Sequence, residues 1–305
     1  DQTQQFSRHI KSFGPRFYST CWELLVIVDS MQKMVREIRP YEVNRGETDQ
    51  LYRQCLLELA EVAEQRGDHI AKAAHIRRRI EQVPVDRSRA RPLVGIIGEI
   101  YVRSNEFANN FLVRRLEAFG AEVALPPLQE WINYVAAGRR EIALEKGRPL
   151  ALGREWLLEL CARWIEWRIS RIFRGAIRHM PRESRISEVL RMGCRYLHPT
   201  VKGEAVLSVG RAVEYAHLGF DGIVNVAPFG CMPGAIVNSL LERFRQDYGL
   251  PVLKLEFDGV EQPSEQTALE AFVHQARQHM LSRQCEPPHI RRLPQATAPC
   301  AAART

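Results

Sequence analysis

Hydrophobic positions along this chain change their period as it proceeds. From Trp22 the apolar residues Leu25, Val28, Met31, Val35 and Ile38 recur at helical spacing and stop at Pro40. Thr48 is placed to cap a second helix carrying Leu51, Cys55, Leu59 and Val62, and Asp68 a third carrying Ile70, Ala73, Ile76 and Ile80. Cys55 falls on the apolar face and reads as a small core residue. At Arg91-Pro92 the pattern shifts to short apolar runs. Residues 93–98 predict a buried strand, 99–105 a polar loop, 107–119 a helix ended by Gly120, and 121–125 a second strand stopped by Pro126-Pro127. Residues 151–180 predict a long helix or helix pair. Trp156, Leu160, Trp164 and Ile172 fall on one side of it, and tryptophan at this spacing reads as core, as does Cys161 among it. Helices at 203–218, 235–248 and 267–281 then enclose strands at 221–226 and 251–257.

These elements predict an α/β protein: a helical N-terminal segment (1–85), then two Rossmann-like parallel-sheet halves (91–150 and 196–284) joined by a helical connection (151–195). The last residues, 285–305, with Pro287, Pro288, Pro294 and Pro299, read as a disordered tail. A length of 305 residues, 45% of them hydrophobic, is ample for a packed core. No apolar run approaches the ~20 residues of a membrane span, so no membrane partner is expected. No signal peptide opens the chain. The chain starts on Asp1 rather than Met, so it reads as an internal piece of a longer protein or a trimmed one. Seven scattered cysteines, without a C-x-x-C pair, suit a reducing cytoplasm and form neither a disulfide framework nor a self-contained metal site. The net charge of +7 raises nucleic acid as a partner. The basic residues are nearly all Arg, however, and the densest run, at 75–79 and 86–91, reads as a solvated helix end and linker, so no nucleic-acid partner is expected.

Candidate chemistry gathers in three loops. The richest is the turn Asp221-Gly222-Ile223-Val224-Asn225-Val226-Ala227-Pro228-Phe229-Gly230-Cys231-Met232-Pro233-Gly234. Its apolar run reads as an interior parallel strand, Pro228 and Gly230 break it, and Pro233 suits a first helical turn. Cys231 is thus aimed out of the carboxyl end of a strand near a helix N-terminus, where open α/β sheets keep their sites and where thiolates are favoured. The second loop brings Glu99, Tyr101, Arg103 and Asn105 directly after a strand. The third opens a helix with Gly203 and Glu204 and carries Ser208. Each has a plainer reading: a polar loop, a carboxylate complementing a helix dipole, a packed thiol. A nucleophile elbow would need glycine at 229 and 233, where the chain has Phe229 and Pro233, and no phosphate-binding glycine fingerprint appears. Catalytic residues are not assigned. Cys194, in Met192-Gly193-Cys194, reads as the best in-chain partner for Cys231.

The segments Gly95-Ile96-Ile97-Gly98-Glu99-Ile100-Tyr101-Val102-Arg103, Gly203-Glu204-Ala205-Val206-Leu207-Ser208-Val209-Gly210 and Ile223 through Cys231-Met232-Pro233-Gly234 resemble the C-terminal region of large CoA-substrate-specific enzyme activase proteins. That region is similar to the component-D-like subunits of 2-hydroxyacyl-CoA dehydratases and to double-cubane-cluster reductases. Ile38-Arg39-Pro40-Tyr41-Glu42 with Gly46-Glu47-Thr48-Asp49 resembles the helical segment before it, and the likeness covers about residues 20–282. The resemblance implies a cytoplasmic, oxygen-sensitive system of anaerobic metabolism. In it an ATPase activase domain or subunit passes a low-potential electron to a partner holding an iron–sulfur cluster, with a CoA thioester as substrate. It implies Cys231 as the cluster ligand, with Glu99, Tyr101, Arg103, Asn105, Glu204 and Ser208 lining the cleft, and it is compatible with an oligomer. The ATPase portion and further cysteine motifs of the long family members lie upstream of the region seen here. Three readings therefore stay open: an electron-transfer component or fragment, a non-catalytic interaction domain without a cluster, and a CoA-thioester binding module.

Overall fold

A computed structural model describes residues 14–180, 182–260 and 263–285 of the chain. In chain order its elements are α1 (Pro15–Ile38), closed by a 3-10 turn at Arg39–Tyr41, α2 (Glu47–Glu64), α3 (His69–Glu81), β1 (Leu93–Gly98), α4 (Ile100–Ser104), α5 (Leu112–Ala118), β2 (Glu122–Ala124), α6 (Leu128–Glu145), α7 (Pro149–Ile172), α8 (Ile186–Gly193), α9 (Glu204–His217), β3 (Gly222–Pro228), α10 (Met232–Tyr248), β4 (Val252–Phe257) and α11 (Pro263–Cys285). The described residues of 1–85 and 129–182 make one compact unit, and those of 86–128 and 183–305 make another. The tail expected at 285–305, with Cys300, lies outside the described residues apart from the helix end at Cys285. No helix among the described residues is long and apolar enough to cross a membrane.

The first unit is helical. Ile27, Met31 and Met34 of α1, Cys55 and Leu59 of α2, Ala73, Ile76 and Ile80 of α3, and Ile165 and Ile169 of α7 form one buried cluster. Asp68 caps α3 as its position predicts, accepting the Ile70 and Ala71 N–H groups at 2.9 and 3.0 Å. Thr48 does not cap α2. That helix starts two residues earlier than such a cap would set it, after a left-handed Gly46 (φ 87°), and the Glu42 carboxylate takes the N–H groups of Gly46 and Thr48 at 2.7 and 2.9 Å. Cys55 is fully buried, and desolvation pushes its thiol pKa up, as befits an inert packing residue.

Two features of this unit depart from the pattern reading. Residues 128–145 form α6, which no periodicity flagged, and α6 and α7 belong with the N-terminal helices rather than with a sheet half or a separate connection. The reason is visible in α7, whose Ile165 and Ile169 complete the α1–α3 core. The second departure follows from the first. With Ile165 and Ile169 turned inward, Trp156, Trp164 and Trp167 stand on the opposite side, exposed rather than in the core, and Cys161 is exposed with them.

The second unit is a single parallel four-stranded sheet in the order β2-β1-β3-β4, so the two α/β halves share one Rossmann-like sheet. Leu93–Gly95 pair with Glu122–Ala124, Val94–Gly98 with Gly222–Val226, and Ile223–Pro228 with Val252–Phe257. One face, with Val94, Ile96, Val123, Val224, Val226 and Leu255, is covered by Leu112 and Leu116 of α5 and by Leu269, Phe272 and Val273 of α11. α9 lies on the other face, where the Tyr215 ring sits against Gly95. The helix predicted over 107–119 is shorter than expected because Asn110 and Phe111 adopt positive φ and delay its start to Leu112. α8 runs to Gly193, so Cys194 stands at a helix end.

Every residue of α9 from Ala205 to Ala216 is buried, including Arg211 and Glu214. These two pair with each other, Arg211 also reaches Glu183 at 2.8 Å, and the Ser184 hydroxyl donates to Glu214. A buried ion pair loses its hydration on folding and is tolerated only when its hydrogen bonds are supplied internally. Arg211→Met is therefore expected to strand two carboxylates and lower folding stability by about 3 kcal/mol, measured by chemical denaturation. In the helical unit, burial raises the pKa of Glu166, which accepts a hydrogen bond from Asn133 at 3.0 Å. A carboxyl raised in the folded state contributes most below its unfolded value and loses that contribution as pH rises. Glu166→Gln should therefore raise the thermal midpoint at pH 7, with the gain shrinking toward pH 4.

Candidate functional site

The strand order sets the site. The chain leaves β1 for β2 on one side and β3 for β4 on the other, so the topological switch point lies between the carboxyl ends of β1 and β3. In open α/β sheets, ligands bind in the crevice outside such a point. The loops that follow these two strands are the ones carrying Glu99 and Cys231.

The two strand ends are held closely. Gly98 has φ 118°, and a Cβ there would fall 2.0 Å from the Val226 carbonyl oxygen, so only glycine fits. The Glu99 N–H then donates to that same oxygen at 2.9 Å. From there the chain turns into α4, and the Glu99 carboxylate folds back to cap it, accepting the Val102 N–H at 2.8 Å. The Ile100 N–H donates to the Glu204 carboxylate at 3.4 Å, which ties the start of α9 to the loop after β1. On the β3 side, Cys231 is the N-cap residue of α10, half-buried, with a free thiol and no side-chain cap bond. A Cβ at Gly234 would lie 2.5 Å from the Ala227 Cβ, so this glycine lets the first turn of α10 rest directly on the end of β3.

The expected cleft residues fall into three groups. Glu99 and Glu204 bind neighbouring amides of α4, those of Val102 and Ile100, beside the switch point, and Tyr101 is exposed on that short helix, which stands where a polar loop was expected. Arg103 is 4% exposed and Ser208 is buried within α9, so both side chains are enclosed in the fold. Asn105 is engaged locally, its side-chain oxygen accepting the Phe107 and Ala108 N–H groups at 3.0 and 3.1 Å.

Cys194 does not join Cys231. Its neighbours Arg195 and Tyr196 both bind Asp247 near the C-terminal end of α10, at 3.1 and 2.6 Å, whereas Cys231 caps the N-terminus of that helix. Seventeen helical residues separate those ends by about 25 Å. Cys21, Cys55 and Cys161 belong to the helical unit. Among the described residues no group of three or more His, Cys, Asp or Glu side chains is arranged to hold a metal ion.

Two polar sets escaped the sequence reading. One is the Arg211–Glu214–Glu183 network. The other starts at Asn225, fully buried in β3 between Ile97 and Lys254. Its amide donates to Asn238 of α10 at 2.9 Å, and Asn238 donates to Glu256 of β4 at 3.2 Å. A polar residue inside an apolar run was the available signal in both cases: Asn225 within Ile223–Val226, and Arg211 with Glu214 within an otherwise apolar α9.

The fold and site define a Rossmann-like α/β unit with a lone cysteine at its switch point. Compared with known proteins, the chain matches no family model, no curated protein and no solved structure. The geometry makes its own prediction: Gly98→Ala should force β1 and β3 apart at their carboxyl ends and lower the thermal midpoint, at a cost of about 2 kcal/mol or more, read by differential scanning fluorimetry.

Proposed function

We propose that this chain is a thiol-bearing, electron-transfer component of a system of the activase and 2-hydroxyacyl-CoA dehydratase type, with its working site at the crevice between the ends of β1 and β3. The observation that carries the reading is the place of Cys231: it caps α10 immediately beyond β3, at the switch point of a parallel sheet. In this reading Cys231 is one ligand of an iron–sulfur cluster. Protein-bound clusters usually take three or four thiolates, and the donors among the described residues do not complete such a set. The other ligands then belong to a partner, an ATPase activase subunit or domain or the cluster-bearing subunit it serves, and no redox step is assigned to this chain alone. Glu99 and Glu204 serve by fixing the loop after β1 against α9.

A second reading, an interaction domain without a cluster, draws on the apolar rim of the same edge. Phe229 and Met232, on either side of Cys231, and Tyr101, in the helix after β1, are all exposed, and such side chains suit a docking face. Iron and acid-labile sulfide per chain separate the two readings. They are measured after anaerobic reconstitution with a small thiol that can fill the open coordination positions. Iron bound by the wild type and lost in Cys231→Ala is the expected result. Equal iron in both would remove Cys231 as a ligand, and iron in neither would overturn the cluster reading in favour of the docking domain.

A further inference from the structure

The exposed side of α7 is built of only a few residue types. Opposite the buried Ile165 and Ile169, helical spacing lines up Trp156, Leu160, Trp164 and Trp167, with Leu157 and Leu150 beside them. Trp156, Trp164 and Trp167 are 54%, 55% and 50% exposed, and Leu160 is 66% exposed. Each tryptophan carries a guanidinium over its ring: Arg140 on Trp156 at 4.6 Å, Arg168 on Trp164 at 4.5 Å and Arg171 on Trp167 at 4.8 Å. The helix's three carboxylates are half-buried and already engaged. Glu155 pairs with Arg139 and Arg154, Glu159 with Arg140 and Arg163, and Glu166 accepts from Asn133. Two of the stacked guanidiniums also hold carboxylates, Arg140 with Glu159 and Arg168 with Glu23 at 3.8 Å, so the excess positive charge of the ridge rests on Arg171 over Trp167 and on the arginines that outnumber the acids along α7.

This composition selects the occupant. A contiguous apolar ridge of this kind marks an interaction surface. A second copy of the chain would bring the same arginines face to face, and like-charge juxtaposition disfavours it. An anionic, deformable, planar surface satisfies both parts at once. Tryptophan rings and leucines enter the boundary between headgroups and acyl chains, while the guanidinium stacked on each ring stays at headgroup level. The stripe from Trp156 to Trp167 runs about 16 Å along the helix, long enough to lie flat on such a surface. We propose that the Trp–Arg ridge of α7 binds the surface of an anionic lipid bilayer peripherally, without spanning it. This goes beyond the function proposed above and does not depend on Cys231.

The test uses the full chain with large unilamellar vesicles of phosphatidylcholine alone or mixed with phosphatidylglycerol, read by co-sedimentation and tryptophan emission. The expected result is at least about tenfold more binding to the anionic vesicles, weakened by salt, with a blue shift of the emission. The variant Trp156→Ser/Trp164→Ser/Trp167→Ser should lose that binding while keeping its circular dichroism. Arg163→Gln/Arg171→Gln, which leaves the apolar ridge intact, should weaken it by several-fold. Absence of binding to anionic vesicles at low salt, or equal binding by the tryptophan variant, overturns the proposal. So does a solution dimer that the tryptophan variant dissociates, which would assign the ridge to a second copy.

Discussion

The parallel pairing of β1 with β3 is the constraint on which the sheet unit depends. It joins Val94–Gly98 to Gly222–Val226 across more than a hundred residues of intervening chain, so the closure entropy is large and the local interactions must compensate for it. Both ends of the pairing are secured. At the start, Asp221 donates its N–H to the Leu93 carbonyl at 2.7 Å while its carboxylate accepts the Leu93 N–H at 2.9 Å. At the far end, the Glu99 N–H reaches Val226. Once that register is set, β2 and β4 can only add outside it, and the two strand-end loops are forced to emerge side by side. The closeness of the two strand ends is a consequence of this pairing, and at Gly98 it forbids a side chain.

The second determinant is α9. Sequestered along nearly its whole length, it acts as a core element of the sheet unit, as its run of Ala, Val, Leu and Gly implies. Its two buried charges are the exception, and they are answered by Glu183 and Ser184 from the segment preceding α8. That network fixes the rotation of α9 about its own axis, since turning the helix would separate Arg211 from Glu183. The orientation of Glu204 at the helix start follows, so the carboxylate that binds the Ile100 amide is held by a rigid, internally satisfied element rather than by a loop.

Much of this architecture was legible in the sequence because it depends on local chemistry. The β-branched run Ile223–Val226 between turn residues, the Asp68 cap and the Pro-Gly signature around Cys231 each specify their structure within a few residues. What was not legible depends on tertiary choice. Periodicity shows that α7 has an apolar stripe containing tryptophan, but a helix apolar on two sides does not declare which side the core takes. Ile165 and Ile169 won that competition, leaving the tryptophans outside. Cys194 failed as a partner for a similar reason: proximity between two loops is set by where α8 and α10 end, which no spacing in the sequence encodes.

The electrostatics of the crevice distinguish its two helix starts. α9 opens with Glu204 in its first turn, so its positive end is answered by its own carboxylate. α10 opens with Cys231, has no acidic residue in its first turn and receives no side-chain cap. Pro233 further removes one amide donor there. Glu99, which follows β1, is committed to capping α4. α10 thus starts with neither a first-turn carboxylate nor a side-chain cap, directly after the cysteine that the sheet unit places at its switch point. Under the function proposed above, a partner's anionic group or thiolates would be the natural complement of this helix start, whereas under the docking reading the start would meet an interface.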